Sequence, residues 1–299
     1  MNEKFKQIAM SRGEEGKAWL ESIPQIISQS ETRWNIKVGS PFNLSYNYVA
    51  PAERVDGSQA VLKIGFPSDR EFQTEIRALE VFNGDGIERL LEEDREKAVI
   101  LIERIMPGVP LSTLVEADDE QATRILTRVM KKLHKPPPGN HSFITIADWA
   151  KGMQKHRQQF NGSGPLPASL FEKAEHLFEE LLATSQEPML VHGDLHHDNV
   201  LSSDREGWLA IDPKGIAAEP AYDTAAMLRN PHGIERRADL SSFLTRRIQI
   251  LSEELQVDPK RIQQWGIAQT VLSAVWTVEE DGEWKQDVAI AEALEQIKV

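Results

Sequence analysis

The stretch HGDLHHDNVL, residues 192–201, constrains this chain more than any other ten residues. His192, Asp194, His196, His197, Asp198 and Asn199 fall within eight consecutive positions and lead into an apolar pair. The histidines suggest a transition-metal cage. The carboxylates and the amide suggest instead a loop that works through oxygen. What lies around the stretch decides between them.

Composition narrows the choice. The chain has 299 residues, enough for one large domain or two modest ones. It has no cysteine, so neither disulfides nor thiolate metal sites are available, and any metal must take oxygen or imidazole ligands. No apolar run approaches the length of a membrane span, and the N-terminal MNEKFKQIAMSRGEEGKAW lacks the apolar core of a signal peptide. These features predict a cytoplasmic protein. The net charge is −13 and no basic cluster stands out, which argues against nucleic acid. An acidic balance suits a cationic small molecule, although solubility alone explains it equally.

The pattern of elements changes along the chain. Residues 14–30 place Trp19, Leu20, Ile23, Ile26 and Ile27 at helical spacing, with Pro24 as a possible kink. Residues 35–66 are β-rich and predict at least three strands, with VDGS as a hairpin turn. A helix is predicted over 69–83 with Asp69 as its cap, then a buried strand in AVILIERI, residues 98–105. Helices follow over 118–134 and 167–185, short apolar segments at 189–191 and 208–212, and several helices from 221 to the end. The predicted division is 1–104 and 105–299, with a hinge at Glu103–Pro110.

Within this frame, Asp194 and Asn199 are separated by four residues, and Asp212 follows Asn199 by thirteen. Asp212 ends the apolar segment WLAID and precedes Pro213-Lys214-Gly215. The spacing matches a kinase catalytic loop, with Gly193 in place of arginine. Phosphoryl transfer needs a carboxylate aimed at the attacking hydroxyl and hard oxygen ligands for Mg²⁺. Asp194 is the candidate for the first, Asn199 and Asp212 for the second. Mg²⁺ seldom takes imidazole, so this reading removes His196 and His197 from the metal shell. Upstream, Lys63 sits mid-strand in AVLKIGFP, and Glu75 lies in the second turn of the helix that follows. That order matches the lysine–glutamate pair of kinases. No G-x-G-x-x-G is present; VGSPFNLSY at 38–46 is the candidate phosphate loop, with backbone N–H groups at Gly39 and Ser40 and a hydroxyl at Ser40 or Ser45. Adenine would bond the backbone around Glu103 and Ile105 in LIERIMPG.

HGDLHHDNVL with LAIDPKG and GIAAEPAYDTAAMLRNP resembles the aminoglycoside/hydroxyurea antibiotic-resistance kinases, the streptomycin 6-phosphotransferase-like branch of the aminoglycoside phosphotransferases. EEGKAWLESIP, SYNYVAPAERVDGSQAVLKIGFP and VWTVEEDG extend the resemblance over most of the chain. It implies an α+β, protein-kinase-like fold of two lobes, an antiparallel-sheet lobe and a larger helical lobe. It implies ATP and Mg²⁺, a small-molecule hydroxyl acceptor such as streptomycin, and a monomer or homodimer. Asp194 would be the catalytic base, Asn199 and Asp212 the Mg²⁺ ligands, Lys63 the phosphate ligand and Glu75 its orienting partner.

Other residues carry weaker signals. His192 reads as a brace for the loop and Asp198 as a turn former. His197 is a candidate for substrate contact, with a surface position as the alternative. Lys214 is a candidate for a phosphate oxygen, and Asp223 for a cap or brace. Glu279, Glu280 and Asp281 are candidates for a cationic substrate, against the plainer reading of a solvated face. A sugar, choline or homoserine type of kinase is the alternative activity. A non-catalytic pseudokinase is a second rival: the intact Lys63, Glu75, Asp194, Asn199 and Asp212 set argues against it, and the irregular phosphate loop leaves it some room. A metallophosphoesterase is a remote rival: GDLH resembles its metal motif, but that reading leaves Lys63, Glu75 and Asp212 unexplained.

Overall fold

The computed structural model describes residues 1–280 and 282–299. The chain opens with α1 (Glu3–Met10) and α2 (Gly13–Trp34). Trp19, Ile23, Ile26, Ser30 and Trp34 form the buried stripe of α2, the periodicity that residues 14–30 predict. Pro24 lies inside α2 and the helix runs through it. Proline removes one backbone bond there; packing of the stripe offsets the loss. Helix α1 is invisible to periodicity, because its eight residues bury only Phe5 and Ala9.

A sheet follows: β1 (Ile36–Val38), β2 (Tyr48–Arg54), β3 (Gln59–Ile64), then α3 (Arg70–Phe82), β4 (Leu90–Asp94) and β5 (Val99–Glu103). The order is β1-β2-β3-β5-β4, antiparallel throughout. The β2–β3 hairpin turns at the VDGS segment, where Asp56 Oδ1 accepts from Ser58 N at 2.9 Å. The Asp69 side chain caps α3, accepting from Glu71 N at 2.9 Å. Sequence patterning misses β4, an edge strand partly exposed at every position and therefore without alternation. Strand β5 alternates with period two. Val99 and Leu101 pack with Trp19, Ile23 and Leu62 beneath α2. Ile100 and Ile102 face the other way, into the core that holds Phe72, Ile76 and Leu79 of α3.

Beyond β5 come β6 (Pro107–Pro110), α4 (Ser112–Leu133), β7 (Ile144–Thr145), α5 (Ile146–Phe160), α6 (Ala168–Ala183) and β8 (Met189–Val191). Then follow β9 (Val200–Ser203), β10 (Gly207–Ala210), β11 (Ile216–Ala218), α7 (Ala225–Leu228), α8 (Leu240–Leu255), α9 (Pro259–Glu279) and α10 (Lys285–Gln296). The helix expected to begin at 118 begins at Ser112 instead. The expected start still marks a real feature: Asp118 is non-helical at φ −157°, ψ 81°, and its Oδ1 accepts from Gln121 N, capping the second piece of α4. Two small sheets, β10-β9-β6 and β7-β11-β8, carry the segments around residues 192–218. Helix α9 is buried nearly all round and centres the lobe. This is the α+β arrangement expected, a sheet lobe and a larger helical lobe. No helix among the described residues is long and apolar enough to cross a membrane.

One buried cation organises the helical lobe. Arg247 of α8 is fully buried. It pairs with Asp119 at 2.6 Å and donates to the carbonyls of Met227 at 2.8 Å and Asn230 at 2.6 Å. Removing one partner of a buried pair leaves the other charge uncompensated, so Arg247→Ala is expected to cost about 3–5 kcal/mol. Urea unfolding measures this; a loss below about 1 kcal/mol, typical of an exposed pair, would contradict the assignment.

Candidate active site

Strand pairing builds the site. Antiparallel pairing of β11 with β8 sets Ile216 opposite Val191, which brings residues 212–215 beside 192–194. The His192 carbonyl accepts from both Lys214 N at 2.9 Å and Gly215 N at 3.1 Å. Gly215 takes φ +63°, and a Cβ there would lie 2.5 Å from Ala78 Cβ and 2.8 Å from the Thr74 carbonyl. Only glycine lets this loop approach α3 so closely. His192 bridges the two segments: Nε2 faces the Ile211 carbonyl at 2.9 Å, and Nδ1 accepts from Asp194 N at 3.2 Å. Gly193 N donates to Asp223 Oδ1 at 2.8 Å, and Asp223 Oδ2 meets His134 Nε2 at 3.2 Å. The loop is therefore braced by His192 and Asp223 together.

Charge is paired with equal care. Lys63 Nζ lies 2.6 Å from Glu75 Oε1 and 2.5 Å from Asp212 Oδ1. Burial alone would lower the Lys63 ammonium, but Asp212 and Glu75 outweigh it and hold the group above its ordinary value. Asp212 is the mirror case: burial raises it, and Lys63 and Lys214 hold it below the usual carboxylate range. Burial pushes Glu75 up to about 7. A further carboxyl, Glu88, accepts from Asp212 N at 2.9 Å and is pushed up to about 8 by burial. Asp212 itself has φ +60°, an uncommon conformation for aspartate that this hydrogen bond helps to hold.

Asp194 sits on the other side of Lys214. Its Oδ1 lies 3.2 Å from Arg229, whose Nε donates to Gln269 Oε1 at 3.1 Å. Burial alone would raise the Asp194 carboxyl; positive charge at His196, Arg229 and Lys214 outweighs it and keeps the group below the ordinary range. Arg229 and Lys214 are the permanent charges beside it, and burial holds the His196 imidazole below its ordinary value. Asn199 donates from Nδ2 to the Asp194 carbonyl at 3.0 Å, which fixes the direction of its side chain.

Two cavities meet at Lys214. The first, of about 430 Å³, has apolar walls at Val49, Val61, Ile102, Leu201 and Ile211, with Lys63 and Asp212 at its base. Glu103 and Ile105 line it. Ser40 is exposed and is not among its lining residues; Ser45, Tyr46 and Asn47 line it instead. The second, of about 620 Å³, holds Asp194, Arg229, Glu279 and Glu280. It opens toward an outer space of about 1460 Å³, where Asp194, Glu279 and Glu280 appear again. Tyr46 lines all three and donates to Glu280 at 2.6 Å, bridging the 39–47 loop to the end of α9. Glu279 pairs with Lys155 at 3.1 Å. Asp281 lies outside the described residues.

His197 needs correcting as a substrate contact. It is fully buried, with Nε2 at 3.3 Å from Arg247, so it faces the lobe interior and not a cavity. The three histidines point to three different partners, and among the described residues no group of three or more His, Asp or Glu side chains could hold a metal ion. Sequence reasoning missed Glu88, Arg229 and Tyr46. Glu88 stands in no pattern; Tyr46 ends the candidate phosphate loop and Arg229 lies in the familial segment GIAAEPAYDTAAMLRNP, but neither stands out there.

The family model described as aminoglycoside/hydroxyurea antibiotic resistance kinase matches residues 33–282. The chain belongs to this family. It is 31% identical to a streptomycin 6-kinase of Streptomyces griseus over 95% of this chain and 93% of that protein. It is 32% identical to a hydroxyurea phosphotransferase of Kitasatospora aureofaciens, covering 94% of this chain and 82% of that one. An aminoglycoside phosphotransferase from Streptomyces rimosus, solved with ADP and streptomycin, superposes with a TM-score of 0.59 at 16% identity, over 84% of this chain and 98% of that one. In this kinase, then, the kinase-like lysine, glutamate and aspartates stand around a cleft between sheet and helices.

Glu88 is testable apart from catalysis. Glu88→Ala orphans the Asp212 N–H, whereas Glu88→Gln keeps an acceptor. The alanine variant is expected to lose about 1–3 kcal/mol in urea unfolding and the glutamine variant markedly less. Equal stability of the two variants would dismiss the hydrogen bond as the reason for the residue.

Proposed function

We propose that the enzyme transfers the γ-phosphoryl group of ATP to a hydroxyl of a cationic aminoglycoside or aminocyclitol, streptomycin foremost. The observation that carries this reading is the position of Lys214. It lines both the cavity that holds Lys63 and Asp212 and the cavity that holds Asp194. A phosphoryl group passing between the two would stay beside the half-buried Lys214 ammonium.

The proposed roles follow from the geometry. The adenine occupies the apolar cavity and bonds backbone near Glu103 and Ile105. Lys63, oriented by Glu75, meets the nucleotide phosphates. Ser45 and the backbone of the 39–47 loop cover them, in place of Ser40. Asp212 and Asn199 supply hard oxygen donors suited to Mg²⁺; the Asp212 side chain is 44% exposed and so open to the cleft. When bound, Mg²⁺ neutralises phosphate charge. Asp194 accepts a hydrogen bond from the acceptor hydroxyl. As the new O–P bond forms and the bond to ADP breaks, the hydroxyl proton passes to Asp194. A carboxyl held below its ordinary range is a weak base, so Asp194 orients the hydroxyl first and takes its proton late. Glu279 and Glu280 receive positive groups of the acceptor. A cytoplasmic site of action follows from the need for ATP. We place the boundary between the lobes at 104/105, just beyond the end of β5 at Glu103.

Streptomycin-dependent ADP release, followed by a coupled assay, tests the reading. Asp194→Asn is expected to lower kcat by about 10²–10⁴-fold while ATP still raises the melting temperature. Undiminished transfer by this variant removes Asp194 from its role. If the wild-type enzyme turns over choline or a simple sugar but no aminoglycoside, the metabolite-kinase alternative replaces this one.

A further inference from the structure

We infer that α1 is a wall of the acceptor site and selects acceptors built from more than one ring. This rests on the phosphotransfer reading above. Asp194 faces two spaces, and the outer one is the larger, at about 1460 Å³ against about 620 Å³. One side of the outer space is the end of α9 and the start of α10, with Glu279, Glu280, Glu283 and Asp287. The other side is α1 and the turn after it, with Lys4, Gln7, Ile8, Ser11 and Arg12.

Positions 4, 7, 8 and 11 lie on one helical face. Phe5 and Ala9 lie on the next and are buried, so the rotation of α1 is fixed by its own apolar pair. Phe5 packs on Trp19 of α2 with ring centroids 5.5 Å apart. Asn2 ties the start of α1 to the 39–47 loop, donating to Asn43 Oδ1 at 2.8 Å and to the Leu44 carbonyl at 2.9 Å. The wall is thus held both by the sheet-lobe core and by the loop across the cleft. It is also supplied from outside residues 33–282, the segment that matches the family model.

The two sides differ in chemistry. The α9–α10 side offers carboxylates, which suit the cationic part of an acceptor. The α1 side offers the Gln7 amide, the Ser11 hydroxyl, the aliphatic surface of Ile8 and two cations, Lys4 and Arg12, which suit a hydroxylated ring without positive charge of its own. The inner space, at about 620 Å³, accommodates a single ring with its hydroxyl at Asp194. A second ring attached to it must enter the outer space and meet α1. The acceptor class is a polyhydroxylated, multi-ring glycoside with its positive charge concentrated at one end.

Gln7 and Ser11 are exposed, so a tryptophan at either position fills the outer space without disturbing the core. The experiment compares streptomycin with free streptidine, its aminocyclitol ring, in wild type, Gln7→Trp and Ser11→Trp. It reads acceptor KM by ADP release and acceptor Kd by calorimetry, with urea midpoints to confirm folding. The expected result is that the ratio of streptomycin KM to streptidine KM rises about tenfold or more in the tryptophan variants, with Kd following. A ratio that stays within about twofold in folded variants overturns the wall assignment and leaves the phosphotransfer reading standing. If the wild-type enzyme neither binds nor phosphorylates either acceptor, the phosphotransfer reading fails and this inference falls with it.

Discussion

A buried lysine between two carboxylates is the constraint on which the rest of the site depends. Lys63 comes from near the end of β3, Glu75 from α3 and Asp212 from the loop after β10. An ammonium taken out of water without partners costs several kcal/mol. With both carboxylates present it is tolerated, and three separate elements are fixed relative to one another. The demand passes outward. Asp212 must adopt a positive φ to reach Lys63, so its N–H turns to Glu88. The loop beyond must then pass close to α3, which only Gly215 permits.

The loop that carries Asp194 is held by different means. Its side chains mostly bond to backbone and to residues of the helical lobe. His192 spans to Ile211, Asp223 holds Gly193, and Asp198 bonds to Ser112 at the start of α4. His197 faces Arg247, which itself pairs with Asp119 beside the break in α4. The histidines that first suggest a metal cage are mostly framework. This explains how a loop so rich in polar groups lies half-buried: most of its donors and acceptors meet fixed partners, with His197 Nδ1 the exception.

Much of this was legible in the sequence, for identifiable reasons. Motif spacing located Asp194, Asn199 and Asp212 because strand pairing between β8 and β11 has little freedom once the loop length is set. Strand–helix order located Lys63 and Glu75. Periodicity located α2 and α3, whose buried stripes are long, but not α1 or β4, whose patterns are too short or too evenly exposed. Ser40 looked favourable because it follows a glycine, yet the turn at Phe42–Tyr46 carries the cleft-lining positions further along the chain. Glu88 and Arg229 depend on contacts across more than thirty residues, and no local pattern encodes those.

Strand β5 has a consequence for how the molecule comes apart. Its odd-numbered residues complete one hydrophobic core and its even-numbered residues complete the other. Detaching it exposes apolar surface on both sides at once. Loss of β5 with the sheet lobe therefore also uncovers part of the core shared with the helical lobe. Two bodies that look separable across the cleft share one strand as a common wall.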